Sequence, residues 1–365
     1  MKFIDSRPSL YGKYVFILDK HMFALLGNLA TSENYHIEYF AFDGKYTNSI
    51  SRSFYEWQLV SQWIDSIRES VKRVIFMSMD ERLILITTKR FKKYKLSVKG
   101  ILFQPYVHYK EVINSSDFIK KYIFQRYAVF LNNRVEKFYV LNDKQAVEKM
   151  NTTVSSLYNY LPDPVENGFN VTNTPQHKKV INEYALDTKK KNLLVFGMID
   201  ARKNLINIID ALRLLPNKVK KVVHLLVVGK LDKPIKNKYL TYINDHTHEI
   251  SIRTHDKFVS KEEREVLFTY CNIILMPYIN FYSSSGILGH AIRHQKHVIA
   301  SNQGLVGRLV AEKNLGITVN PLAPEEIKDA ICQLLYYPEK YQYNNTEYLQ
   351  EHSPENFSKT ILTEC

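Results

Sequence analysis

Three stretches of this 365-residue chain set small or charged side chains in patterns that suit anion chemistry. The first is YSSSGILGH, residues 282–290, with three consecutive serines, two glycines and no formal charge. It follows the apolar run CNIILMPY and precedes the helical AIRHQ. A helix that begins near Ser285 or Gly286 turns its first backbone N–H groups outward, and its dipole favours an anion there. Small residues let a phosphate approach the backbone, and serine hydroxyls add donors. The turn is therefore expected to hold a phosphate or diphosphate, against the plainer alternative of a serine N-cap without a ligand. The second stretch is FGMIDARKNLINIIDAL, residues 196–212, where a strand ends at Gly197 and Arg202 and Lys203 open the next helix. Two cations at a helix start oppose its dipole, a local cost that an anionic ligand would offset. The third is SNQGLVGRLV, residues 301–310, where Gly304 and Gly307 open a further helix. No G-x-G-x-x-G occurs, which argues against a nicotinamide or flavin dinucleotide site. No Ser–His–Asp arrangement, H-E-x-x-H or metal-ligand cluster is legible, and no divalent metal is expected.

These residues need strand ends to stand on. In the first half, KFID (2–5), HIEYFAF (36–42), RVIFMSM (73–79), GILFQPY (100–106) and KFYVLN (137–142) read as strands. YVFILDKHMFALLGNLA (14–30), FYEWQLVSQWIDSIRESV (54–71) and DFIKKYIFQRYAVFLNN (117–133) carry helical spacing. In the second half, strands are expected at 192–197, 222–229, 252–259, 272–278 and 297–302, with helices between them at 203–215 and 261–271. Alternating strands and helices imply parallel sheets covered on both faces, and continuous apolar runs suit strands buried on both sides. Pro, Gly, Asn and charge cluster at 162–191, which places a boundary there. The expectation is an α/β protein of two Rossmann-like, doubly wound parallel-sheet domains facing across a cleft. They would span 1–170 and 190–345, with a C-terminal helical segment over 346–365 packing back on the first. In such sheets ligands sit at the carboxyl ends of the strands.

Composition bounds the rest. The net charge is +13, and residues 1–165, with 24 Lys and Arg against 16 Asp and Glu, hold +8 of it. RLILITTKRFKKYKLSVK, residues 82–99, has seven basic residues and no acid, so an anionic lipid surface, nucleic acid or a phosphorylated substrate could meet it. Cys271, Cys332 and Cys365 form no C-x-x-C pair, and a reducing compartment fits. No apolar run approaches the ~18 residues of a membrane span, and the N-terminus lacks a signal-type stretch. A cytoplasmic protein is expected, with peripheral attachment to the inner face of the plasma membrane.

The second half resembles the retaining glycosyltransferases of family four, the glycosyl transferases group 1 of GT-B architecture. The resemblance runs over roughly residues 190–320 and rests on LLVFGMIDARKNLINIIDAL, HLLVVGKL, DKFVSKEEREVLFTYCNIILMPY and SSSGILGHAIRHQKHVIASNQGLVGRLV. It implies that Lys203, with Arg202 beside it, meets the diphosphate of a nucleotide-sugar donor. It places the phosphate turn at Ser284, Ser285, Gly286 and Ile287, the nucleobase at the backbone of Phe258 and Val259, and the N-terminal glycine turn at Gly12. His108, or Gln104 at the same edge, would stand near the donor sugar. The chain departs from the family pattern: Tyr282 and His290 occupy the places of two glutamates, contacting sugar and ribose respectively. Met198 replaces an arginine, Asn204 a glycine and His297 a proline.

The reading is a hexosyltransferase that moves a sugar, with retention, from a nucleotide-diphosphate sugar to a glycan or lipid-linked acceptor in cell-envelope polysaccharide biosynthesis. Lys203, Tyr282 and His108 are its catalytic candidates. No cofactor and no nucleic acid partner are expected. The alternatives are a sugar epimerase or phosphorylase of the same fold, and a nucleotide- or nucleic-acid-binding module without enzymatic activity.

Overall fold

In the computed structural model the described residues are 1, 4, 6, 14–19, 34–42, 46, 48–67, 70–108, 116–166, 168, 175–186 and 189–363. The chain divides into two units, Met1–Pro162 with Pro354–Cys365, and Asp163–Ser353. The first holds β1 (Tyr14–Asp19), β2 (Tyr35–Phe40), α1 (Ser49–Ser66), β3 (Arg73–Phe76), α2 (Leu83–Thr87), α3 (Lys89–Lys92), β4 (Ser97–Leu102), α4 (Ser116–Leu131), β5 (Val135–Leu141), α5 (Lys144–Thr153) and β6 (Tyr158–Leu161). The second holds α6 (Pro175–Glu183), β7 (Lys191–Phe196), α7 (Leu205–Arg213), α8 (Asn217–Val222), β8 (Val223–Val228), α9 (Lys233–His246), β9 (Ile252–His255), α10 (Lys261–Tyr270), β10 (Ile273–Met276), α11 (Gly286–Arg293), β11 (His297–Ser301), α12 (Gly304–Glu312), β12 (Gly316–Val319), α13 (Pro324–Tyr336) and α14 (Thr346–Glu351). The last helix, α15 (Pro354–Thr363), belongs to the first unit.

The second unit is built on one parallel sheet of order β12-β11-β10-β7-β8-β9. Chain order reverses between β7 and β10, where the crossovers leave the sheet in opposite directions. That is the switch point at which doubly wound sheets open a crevice beyond their strand ends. The strands are apolar because each buries both faces: all six residues of β8 and all four of β10 are buried. One core layer contains Leu194, Leu226, Ile274, Leu288 and Val306, and the opposite layer Leu193, Leu225, Ile273, Ile208 and Ile331. Neighbouring side chains along a strand thus feed different layers, as the period of two requires.

In the first unit β3-β4-β5-β6 form a parallel sheet and β1-β2 a parallel pair. Helix α15 lies on this sheet, with Ile361 buried among Ile101, Tyr139, Leu141 and Leu161. The Tyr139 hydroxyl donates to the carbonyl of Thr360 at 3.0 Å. Buried Lys99 donates to that of Ile361 at 3.5 Å, a cation at the carbonyl-rich end of a helix.

Two expectations change. Residues 14–19 form β1 and not the start of a helix, because YVFILD is an uninterrupted apolar run that pairs residue by residue with β2. The basic stretch 82–99 is not one surface. Lys99 is 1% exposed, and Arg82 turns inward to Glu56 at 2.5 Å. Its other basic side chains, Lys89, Arg90, Lys92, Lys93 and Lys95, lie on or just after α3. Gly12 and most of KFID lie outside the described residues.

Candidate active site

The site is assembled at the switch point of the second unit. Strand β7 ends at Phe196, and Gly197 follows with φ +94°. A Cβ at Gly197 would stand 3.2 Å from Ile287 Cδ1, in the first turn of α11, and 3.8 Å from Lys203 Nζ. One glycine thus marks where the end of β7, the lysine and the start of α11 converge.

Lys203 ends a 3-10 turn, Ala201–Lys203, and is 1% exposed. Its ammonium does not point to solvent from a helix start, as the sequence suggested. It folds back to donate to the carbonyl of Phe196 and to the hydroxyl of Tyr278, each at 2.8 Å, and lies 4.3 Å from the Tyr278 ring centroid. Burial, and then the neighbouring Arg202, hold its pKa down at about 7. No carboxylate comes within ion-pair reach of it among the described residues. The nearby Asp200 is engaged by Arg202 at 2.9 Å. Arg202 also lies 4.8 Å from the Phe281 ring centroid, and its carbonyl accepts from the N–H of Ile279. Asn204 follows in the left-handed region at φ 59°, which Asn tolerates better than most side chains. Its amide donates to the carbonyls of Pro277 and Pro321. That explains how Asn can stand where a glycine was expected: it accepts the backbone conformation and ties down two loops.

The 282–290 stretch runs from the end of β10 into α11. Ser285 is the N-cap in an extended conformation, with no side-chain bond to the first turn. Ser284 donates to the carboxylate of Asp163 at 2.6 Å. Burial pushes that carboxyl above its ordinary range, with the Ser284 bond acting against the shift. Gly286 is exposed, and nothing lies within 4 Å of where its Cβ would be. No packing in the unit therefore requires glycine there. The other glycines differ. A Cβ on Gly304 would meet the carbonyl of Phe281 at 2.4 Å, and one on Gly307 that of Ser301 at 1.9 Å. Their absence of side chains lets α12 press against the backbone of the turn, so they shape the site without facing it.

Phe258 and Val259 follow β9 at the sheet edge. Phe258 is 81% exposed, whereas Val259 packs on the core. The loop between is held by Lys257, which bridges Glu183 and Glu263, and by the capping box of Ser260 and Glu263 on α10. Tyr282 is partly buried at the turn. His290 is half-buried one helical turn past Gly286, 5.6 Å from the Phe268 ring, and its Nδ1 is enclosed without a partner. Burial, then Arg264 and Arg293, lower its pKa to about 4, so it is neutral at pH 7. His108 lies in the first unit, on the turn Tyr106–His108, with Gln104 close before it. Its Nε2 meets Asp143, a fully buried carboxylate that also caps α5 through the N–H of Ala146 at 2.9 Å. The backbone N–H groups of Phe103 and Gln104 both donate to Asp80. Among the described residues no group of three or more His, Cys, Asp and Glu could hold a metal ion.

Tyr278, Asp163 and Asp143 carry no functional signal in the sequence. Tyr278 reads as the tail of an apolar strand, Asp163 as part of a boundary, and Asp143 as an ordinary N-cap.

A parallel six-stranded sheet with a buried lysine at its switch point, without a carboxylate in ion-pair reach among the described residues, defines a Rossmann-like unit. Residues 176–348, just under half of the chain and all within the second unit, match the family described as Glycosyl transferases group 1. A search of curated proteins found no match. Among solved structures the chain is similar to WaaG, described as a glycosyltransferase involved in lipopolysaccharide biosynthesis, with TM-score 0.62, 14% identity, and coverage of 96% of this chain and 100% of that one. It is similar to Anabaena Alr3699/HepE in complex with UDP and glucose, with TM-score 0.63, 13% identity, and coverage of 96% and 97%. It is also similar to an alpha,alpha-trehalose-phosphate synthase (UDP-forming) from Burkholderia xenovorans, with TM-score 0.67, 11% identity, and coverage of 98% and 94%. At these identities the likeness is one of fold, the GT-B fold of two Rossmann-like domains.

Proposed function

We propose that the chain transfers a hexose from a nucleotide-diphosphate sugar to a glycan or lipid-linked acceptor, with retention, in cell-envelope polysaccharide biosynthesis, working in the cytoplasm at the inner face of the plasma membrane. The observation that carries the donor assignment is Lys203, a buried ammonium without a carboxylate at the switch point. An uncompensated buried cation is costly unless an anion completes it. HepE has been captured with UDP-glucose, which favours a uridine nucleotide as the first donor to test. WaaG's description favours the cell-envelope setting.

In this reading the bond from the anomeric carbon to the diphosphate oxygen breaks as the acceptor oxygen bonds to that carbon on the same face. The acceptor proton passes to the leaving diphosphate. Lys203 and the first N–H groups of α11 stabilise the charge that develops on the leaving group, with Arg202 in support and no metal. Phe258 and Val259 flank the base. Tyr282 serves the sugar, His290 the ribose, and His108, oriented by Asp143, stands near the donor sugar. The test is a thermal-shift screen of nucleotide sugars followed by assay of nucleotide release. A donor at 100 times its Kd adds about 2.7 kcal/mol of stability. No stabilisation by any nucleotide sugar or nucleoside diphosphate would remove the donor assignment.

A further inference from the structure

Helix α4 is apolar on the side that faces water. Gln125, Ala128 and Val129 are buried against the first unit. On the outward side stand Ile123, Tyr127, Phe130 and Leu131, at 41%, 49%, 64% and 53% exposure. Their spacing of four, seven and eight residues puts them within one stripe of the helix surface. Isolated exposed apolar residues are ordinary, but a contiguous stripe on one helix marks a surface that meets something.

The charge around the stripe selects the partner. Lys92 donates to the carbonyl of Leu131 at 3.1 Å, so α3 sits at the end of the stripe where Phe130 and Leu131 lie. Lys89, Arg90 and Lys92 of α3 are all exposed. The guanidinium of Arg126 lies 4.7 Å from the Tyr122 ring and 6.0 Å from that of Tyr127. Apolar side chains rimmed by cations and by an aromatic with a polar tip match the boundary between lipid headgroups and acyl chains.

We propose that the outward face of α4, with the basic residues of α3, docks the protein on an anionic lipid bilayer. The proposal gives a surface to the membrane attachment in the reading above and does not depend on the donor site. Phe130 and Leu131 would enter the interface while Lys89, Arg90 and Lys92 meet the headgroups.

The test is co-sedimentation of the full chain with vesicles of equimolar phosphatidylcholine and phosphatidylglycerol, against pure phosphatidylcholine. Binding is expected to the anionic vesicles and to fall with salt. Each cation near such a surface adds about 1 kcal/mol, so Lys89→Glu or Arg90→Glu should weaken partitioning at least about fivefold. Phe130→Ser with Leu131→Ser should weaken it by tenfold or more, since a buried Phe or Leu side chain gains about 1.5–3 kcal/mol. Phe130→Trp should keep binding and show blue-shifted emission on anionic vesicles only, which also covers the case of a serine variant that folds poorly. Equal binding to neutral vesicles, an unshifted emission from the Phe130→Trp protein, or loss of the stripe into a concentration-dependent dimer without lipid would each overturn the proposal. Nucleotide-sugar thermal shifts in the same variants should match the unaltered protein. Their absence in every protein would count against the donor site and leave the docking result standing.

Discussion

Lys203 should take up a proton when the donor binds. Its pKa of about 7 in the unliganded protein reflects burial and then the neighbouring Arg202, against a smaller opposing pull from Asp200, which is itself engaged by Arg202. A diphosphate at the start of α11 would supply a counter-ion and return the ammonium towards the ordinary value of about 10.4. At about pH 8 the free protein would be about one-tenth protonated at this site and the complex almost fully so. Calorimetry in buffers of different ionisation enthalpy should then show uptake of about 0.9 proton, falling to about 0.5 at pH 7. Affinity should weaken close to tenfold between about pH 7.5 and 8.5, or about 1.4 kcal/mol. A nucleotide-diphosphate sugar is the right probe, because its pyrophosphate is a diester that does not titrate there. Stability carries the opposite sign. The folded pKa lies below the unfolded one, so the penalty is present at and below about pH 7 and fades as pH rises towards the unfolded value. At pH 7 it amounts to about 4 kcal/mol, offset by the bonds to Phe196 and Tyr278 at about 1 kcal/mol each. Lys203→Met should therefore abolish the proton uptake, weaken donor binding by tenfold or more and raise the unliganded Tm. A Lys203→Met protein with unchanged affinity, or a flat pH profile and no proton uptake in the unaltered protein, would refute the counter-ion role.

Gly286→Val should leave the Tm within about 2 °C while donor affinity drops by tenfold or more, because nothing lies within 4 Å of a Cβ there and the added methyls would fill the space before the first N–H groups of α11. Retained affinity in isothermal calorimetry would mean the turn is only a capped helix start. Asn204→Ala should cost about 2–4 kcal/mol, from a left-handed backbone without Asn and two carbonyls left unpaired, and Asn204→Gly should recover about 1 kcal/mol of it. Differential scanning calorimetry of both variants checks this, and equal Tm values would disprove the backbone part. His290 is held neutral by burial, with a folded pKa near 4 below the ordinary 6.5, so its stability contribution is present above about pH 6.5 and lost as pH falls towards 4. The loss should reach about 3 kcal/mol by about pH 4, and His290→Gln should flatten that part of the Tm-against-pH curve; an unchanged slope would place the titration elsewhere.

The sheet of the second unit was legible because doubly buried parallel strands must be apolar runs, and β7, β8, β10 and β11 are written that way. The short β6 and β12 escaped notice, since Tyr158–Leu161 and Gly316–Val319 are too brief to show a period. Residues 14–19 were read as helix because the apolar run continues past Asp19, and only pairing with β2 identifies the strand. The elements proposed to hold the anion could be read locally: glycine after a strand, cations before a helix and serines at a turn are neighbours in the chain. What they do there could not. The sequence places Arg202 and Lys203 side by side, yet one lies over Phe281 and the other is buried under Tyr278. Asp163 reaches Ser284 across 121 residues. Residue types and their spacing determined the sheet and the small-residue turn at 282–290. The tertiary structure decided which cation lacks a counter-ion, because burial and charge pairing depend on neighbours in space and not along the chain.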